Sequence, residues 1–275
     1  MLIRAGYDIG FTTEQRVPML ANLSIHGSRK KDLQTSQRIF TEPEVPLYDY
    51  IDSFGNTCTR LTIPAGGITI SCGFVIEDPF EPDPVMPDAR QIPVEDLPDE
   101  VLLFLLGSRY CETDRLSEAA WALFGNMPQG WSMVQAIVAH VHNHIRFDYM
   151  AARPTKTAWD VYQEQVGVCR DYAHLAIALC RCMNVPARYC TGYLGDMDLP
   201  AVVGDMDFSA WFEVFLGGQW HVFDARHNKP RSGRILMARG RDAADAALTN
   251  TFGPVTLSRF DVYTDEDRLA PPPRA

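Results

Sequence analysis

Long apolar runs are missing from this 275-residue chain: the longest candidate, Val101–Leu106, is far short of the roughly 20 residues that a membrane span needs. Met1–Gly10 has no basic segment followed by an apolar one, so no secretory signal is expected there. Positive charge is also scarce. Against 35 Asp and Glu there are 25 Lys and Arg, leaving a formal net charge of −10. An acidic surface repels phosphate backbones and anionic lipid, so neither nucleic acid nor a membrane is expected as a partner. No phosphate loop, dinucleotide fingerprint or basic nucleic-acid motif is found. The seven cysteines (Cys58, Cys72, Cys111, Cys169, Cys180, Cys182 and Cys190) are an odd number in a large chain, which points to free thiols in a reducing cytoplasm. With 46% hydrophobic and 22% charged residues, the chain has the composition of a globular protein, long enough for one large domain or two ordinary ones.

The first 78 or so residues read as strands. Ile3–Ile9 is short and apolar, Thr57–Ile63 follows the turn-like Asp52–Asn56, and Gly67–Ile76 is rich in β-branched residues. Then Pro79, Pro82, Pro84, Pro87, Pro93 and Pro98 lie among acidic residues, and proline blocks both helix and sheet. The division this suggests is a β-rich region over residues 1–85, a Pro-rich acidic connector over 86–112, a second domain over 113–265 and a disordered tail over 266–275. In the second domain Ser132 can cap a helix whose apolar face is Val134, Ile137, Val138, Val141 and Ile145. Thr157–Gln165 is a shorter helix, and Cys169–Met183 a very apolar one that ends at Asn184-Val185-Pro186. Ala187–Tyr193 reads as a strand, Arg241–Leu248 as a helix and Val255–Tyr263 as a closing strand. Phe208–Leu216 and Gln219–Ala225 flank Gly217-Gly218, the residues a tight hairpin turn demands. The fold class is therefore α+β, with helices packed on an antiparallel sheet behind a β-rich N-terminal region.

Cys169 is the residue most able to do chemistry. In Gly167-Val168-Cys169-Arg170-Asp171 it stands where a loop becomes a helix, and unpaired N–H groups there favour a thiolate. Arg170 acts in the same direction and Asp171 against it. The alternative is a buried structural cysteine, the fate of most free thiols. The hairpin supplies a second group. If Gly217-Gly218 is the whole loop, Phe215 faces Trp220, Glu213 faces Val222, Trp211 faces Asp224 and Ser209 faces Arg226. Side chains alternate across a sheet, so Ser209, Trp211, Glu213, Asp224 and Arg226 share one face. His221 then pairs with Val214 and points the other way.

The segment from Gly167 to Leu179, then Val185-Pro-Ala-Arg-Tyr189, Ala210-Trp-Phe-Glu-Val214 and Trp220–Asp224, resembles the bacterial transglutaminase-like superfamily of cysteine-protease-type proteins. The residues before Pro79 resemble that family's N-terminal β domain. The resemblance implies a papain-like core in which Cys169 is the nucleophile and Asp224 orients a catalytic histidine. The family places that histidine immediately before the Ala-Trp pair, where this chain has Ser209, 40 residues after Cys169 and 15 before Asp224. A serine hydroxyl does not serve as a general base near neutral pH.

His227, three residues after Asp224, is the nominee to replace it, with a loop histidine packed on the following segment as the alternative. His174 lies about 140° round the helix from Cys169 and is expected to be structural. His140 and His144 share a helix face, but His142 points nearly the other way and no carboxylate completes a zinc site, so the run is expected to be a helix end. Cys180 and Cys182 are expected in the core. Trp159 and Trp211 either line a cleft or fill the interior. The expected activity is a cysteine-dependent amide hydrolase or acyl transferase, acting on a peptide or protein amide without metal or organic cofactor. The competing expectation is a catalytically silent binding or scaffold protein that keeps the fold and has lost its base at Ser209.

Overall fold

The computed structural model of the chain describes residues 1–195 and 207–267. Six strands come first: β1 (Leu2–Thr12), β2 (Val17–Ala21), β3 (Phe40–Glu42), β4 (Tyr48–Ile51), β5 (Thr57–Ile63) and β6 (Ile68–Glu77). Helices dominate the middle: α1 (Asp99–Leu102), α2 (Thr113–Phe124), α3 (Trp131–His144), the short strand β7 (Arg146–Phe147), α4 (Ala158–Glu164), β8 (Val166–Gly167) and α5 (Cys169–Cys182). Six strands complete the described chain: β9 (Ala187–Leu194), β10 (Ser209–Leu216), β11 (Gln219–Phe223), β12 (Arg234–Gly240), β13 (Thr249–Thr251) and β14 (Thr256–Glu266).

Local rules account for most of these. Thr157 caps α4, its side chain accepting the Asp160 N–H at 3.3 Å while the Asp160 carboxylate accepts the Thr157 N–H at 3.0 Å. Gly217 and Gly218 take φ of 58° and 87°, and the β10–β11 register pairs Phe215 with Trp220, Glu213 with Val222 and Val214 with His221, as the two-residue turn predicts. The ladder ends at Phe212–Phe223, so Asp224 and Arg226 leave the sheet before they can pair with Trp211 and Ser209. Ser132 does not cap α3: the helix begins one residue earlier, after Gly130 at φ 96°, a left-handed conformation that only glycine adopts freely. The segment 241–248 is a series of turns rather than the expected helix, because the Asp242 and Asp245 carboxylates bind nearby backbone N–H groups and compete with helical hydrogen bonding.

Two four-stranded antiparallel sheets, ordered β14-β1-β6-β3 and β13-β2-β5-β4, build the N-terminal part, and a third, β11-β10-β9-β12, underlies α5. The closing strand expected at Val255–Tyr263 exists as β14, but it closes the first sheet and not the second domain. It pairs along β1 from Ile3–Glu266 to Thr12–Thr256, while β13 pairs with β2. The residues 249–265 assigned by sequence to the second domain thus belong to the N-terminal sheets. A strand shows its own period in the sequence but not its partner. The connector over 86–112 is folded down rather than extended: Leu97 and Val101 pack on Phe215, and Trp131 N–H donates to Ala89 O at 3.0 Å. The expected tail lies outside the described residues from 268 onward.

The core has two main parts. One holds α2, α3, α4 and α5 against one face of the third sheet, through residues such as Ile137, Leu175, Leu179, Phe212 and Val214. The other joins the N-terminal sheets to Tyr193, Phe208, Ile235 and Met237 on the third sheet's side of the molecule. The third sheet is therefore covered on both faces, and α5 holds Cys169 against it.

Candidate active site

Gly167 is demanded by the side chain of Asp171. A Cβ at position 167 would lie 2.6 Å from Asp171 Oδ2 and 2.7 Å from Asp171 Cβ, because the buried Asp171 side chain folds back to accept the Val168 N–H at 2.9 Å. That bond closes the first turn of α5 and fixes Cys169 as its first residue. Behind it, β8 runs parallel to β7, pairing Gly167 with Phe147, and buried Lys156 donates to Val166 O at 2.9 Å. The approach to Cys169 is thus held from both sides.

Cys169 is half-buried. Its thiol is pushed up to about 11, chiefly by burial and further by Asp207, while Arg226 and the backbone N–H groups of Ala210 and Arg170 oppose the shift. The Ala210 contact places the sulfur beside the first residues of β10, next to Ser209. Ser209 itself is buried, and its hydroxyl has no hydrogen-bond partner among the described residues.

Asp224 lies beyond the end of β11 with its carboxylate fully engaged. Oδ1 accepts the Arg226 and His227 N–H groups at 3.0 Å each; Oδ2 accepts His227 Nδ1–H at 2.8 Å and Arg234 Nη2–H at 3.0 Å. Burial would raise its pKa, but the bonds from His227 and the charge of Arg234 outweigh burial and hold it well below the usual carboxylate range. An ionised carboxylate only accepts, so the proton of a neutral His227 sits on Nδ1 and Nε2 carries the lone pair. Nε2 makes no hydrogen bond among the described residues.

The structure brings His227 to Asp224 and brings Cys169 to the start of β10. Among the described residues no hydrogen bond joins the Cys169 sulfur to an imidazole. Trp211 is buried beneath Arg234, whose guanidinium carbon is 5.0 Å from the ring centroid, so it supports the Asp224 partner. Trp159 is stacked under Arg115 at 4.5 Å and lies near Tyr162, packed on the same core as Cys169. His174 is buried, stacked on Tyr110, and its Nε2 accepts the Ala243 N–H at 3.1 Å. His221 is buried and donates to Leu216 O at 3.1 Å. His140 and His144 stack on each other, and His144 donates to Tyr162 O at 2.8 Å.

Two supporting residues escape the sequence reading. Arg234 ties Asp224 to Asp83, with Nε 3.0 Å from Asp83 Oδ2. His142 Nδ1–H donates to Arg226 O at 2.9 Å and lies 3.2 Å from Ala225 O, which pins the turn carrying His227. The only hint of the latter is that His142 falls on a different face of α3 from His140 and His144.

Residues 122–225 match the model of the transglutaminase-like superfamily. An uncharacterized protein of Mycobacterium leprae is 26% identical over 243 residues, which span 85% of this chain and 86% of that protein. The human kyphoscoliosis peptidase is 34% identical over 101 residues, covering 34% of this chain and 15% of the peptidase. The solved structure of a "putative cysteine protease" from Cytophaga hutchinsonii superposes with a TM-score of 0.83 at 29% identity, covering 96% of this chain and 90% of that one.

Proposed function

Since the chain carries a transglutaminase-like domain, we propose that it is a cysteine hydrolase that cleaves a peptide or protein amide through a thioester at Cys169. The observation that carries this reading is the Asp224–His227 pair, an imidazole oriented by an ionised carboxylate at 2.8 Å with its second nitrogen unbonded among the described residues. The resting thiol, pushed up to about 11, is neutral at physiological pH, so a base must act as the sulfur attacks and not beforehand. Cys169 sulfur attacks the amide carbonyl, and its proton passes to His227 Nε2 as the substrate draws the two groups together. The oxyanion rests on backbone N–H groups at the start of α5, including that of Cys169. Collapse breaks the C–N bond, and the leaving amine takes the proton from His227. Water then gives a proton to the same imidazole and attacks the thioester, releasing the carboxylic acid and restoring the thiol. Hydrolysis is preferred to transfer onto an amine because water is always present. The setting in this reading is the cytoplasm, in keeping with seven free cysteines.

A second reading, a silent binding protein, is favoured by one observation: the thiol lies beside the Ala210 N–H and next to Ser209, with no imidazole bonded to it among the described residues. A pool of fluorogenic peptide amides, incubated with the wild type, Cys169→Ala and His227→Ala, separates the two. Turnover lost in both variants, with an acyl group trapped on Cys169 by mass spectrometry after acid quench, supports the hydrolase. Absence of both turnover and adduct in the wild type favours the binding protein.

A further inference from the structure

Arg226 is a cation beside the nucleophile with no acidic partner among the described residues. Phe147 pairs with Gly167, two residues before Cys169, and the Arg226 guanidinium carbon lies 4.1 Å from the Phe147 ring centroid. The guanidinium is thereby placed at the mouth of the Cys169 site. Its backbone is fixed from two sides: its N–H donates to Asp224 Oδ1 at 3.0 Å and its carbonyl accepts from His142 at 2.9 Å. Among the described residues no carboxylate lies within ion-pairing distance of its side chain, whereas Arg153, Arg188, Arg234 and Arg241 are all paired. Asp207 acts on the same thiol and on Arg226 through space but makes no ion pair with it. Next to Phe147, Tyr149 and Met150 are exposed, so the aromatic wall opens to solvent.

We infer that Arg226 binds a carboxylate on the substrate, so that the preferred substrates are amides with an acidic side chain or a free C-terminal carboxylate next to the scissile carbonyl. This rests on the hydrolase reading for its chemistry, but the anion site can be measured without turnover. Tyr149 is close enough to share a hydrogen bond with the Arg226 guanidinium, and a planar guanidinium stacked on a ring can turn its remaining N–H groups to a carboxylate. In a protein of net charge −10, a cation at the thiol that has no acidic partner among the described residues separates acidic from neutral ligands sharply.

The test is the rate of Cys169 alkylation by iodoacetate relative to iodoacetamide, read by mass spectrometry of the Cys169 peptide. The ratio cancels the thiolate fraction and leaves the charge preference. It is expected to be about tenfold higher in the folded protein than in the urea-unfolded chain, in low salt. R226Q should return it to the unfolded value, R226K should keep most of it, and D207N should raise it. A folded ratio equal to the unfolded one, or one unmoved by R226Q, overturns the inference. Should R226Q not fold, the wild type alone decides. N-acetylglycine should protect Cys169 from iodoacetamide and N-acetylglycinamide should not; equal protection by both, or by neither, overturns the inference. A raised ratio without peptide hydrolysis keeps the anion site and removes the hydrolase. Hydrolysis indifferent to substrate charge does the reverse.

Discussion

His227 Nδ1 lies 2.8 Å from Asp224 Oδ2, and both residues belong to one turn after β11. In the resemblance that the sequence carries, the acid sits on a strand and its histidine on the neighbouring strand. Here the acid reaches three residues along its own chain. The pairing is therefore local and is set by the turn that Asp224 itself builds with the Arg226 and His227 N–H groups.

The first prediction rests on that locality. Asp224→Asn keeps the shape but replaces an acceptor by an amide and removes the charge that fixes the His227 tautomer. If the pair is catalytic, kcat should fall by about 10²–10⁴ with KM little changed, and His227→Ala should fall as far. The double variant should be no worse than either single one. Steady-state kinetics on a cleaved peptide would show this, and additive losses would mean that the two residues act separately.

Ser209 gives a prediction of opposite sign. Its buried hydroxyl has no partner among the described residues, and leaving such a group unsatisfied costs about 1–3 kcal/mol. Ser209→Ala should therefore leave stability unchanged or raise it by up to about 1 kcal/mol, and should not reduce hydrolysis. Urea denaturation measures the first and peptide turnover the second. A loss of more than about 1 kcal/mol would show that the hydroxyl is engaged.

Arg234→Met tests the support behind the acid. It removes the guanidinium shared by Asp83 and Asp224 and leaves a buried carboxylate with fewer partners, at an expected cost of about 3–5 kcal/mol. Combining it with Asp224→Asn should recover part of that cost, since no uncompensated charge then remains. Denaturation midpoints of the two single variants and the double variant would measure the coupling. Full additivity would argue against it.

How much of the molecule could be read in the sequence depended on range. The hairpin register next to its turn, the short helix after Thr157 and the start of α5 at Cys169 were legible because each is decided within a few residues by turn chemistry or period. Arg234 was not legible as a partner: its contacts with Asp83 span 151 positions, and nothing in Arg-Ile-Leu-Met indicates which acid it meets. His142 could be assigned a helix face, but not the loop packed on that face. The family resemblance identified Cys169 and Asp224 as candidates and showed the departure at Ser209. It carried no information on Arg226, whose place against Phe147 and lack of an acidic partner among the described residues are three-dimensional facts.

Alkaline pH supplies a further prediction. Burial pushes the thiols of Cys58, Cys72 and Cys182 up to about 11 and that of Cys111 to about 12. The unfolded chain loses these protons from about pH 8.5, while the folded protein keeps them. Above that pH the folded state therefore binds more protons, and stability must fall as pH rises. The contribution is intact below about pH 8.5 and is lost progressively towards about pH 11–12, by up to about 1.4 kcal/mol per pH unit for each thiol. Urea midpoints at about pH 8 and about pH 10 should show the decline; equal midpoints would mean that these thiols are not buried as described.

The pairing of β14 with β1 and of β13 with β2 also bears on how the chain reaches this structure. Strands β1 and β2 find their outer neighbours only after some 240 further residues have been made. Until then β1 and β2 each present an open edge of unpaired N–H and C=O groups, the kind of surface on which strands of other chains add. Closure of the N-terminal sheets is thus an event of very high contact order, expected to be slow beside the formation of the helical part around α5. A ribosome-bound chain halted before residue 249 would hold its helices and its thiol while keeping two sheets open.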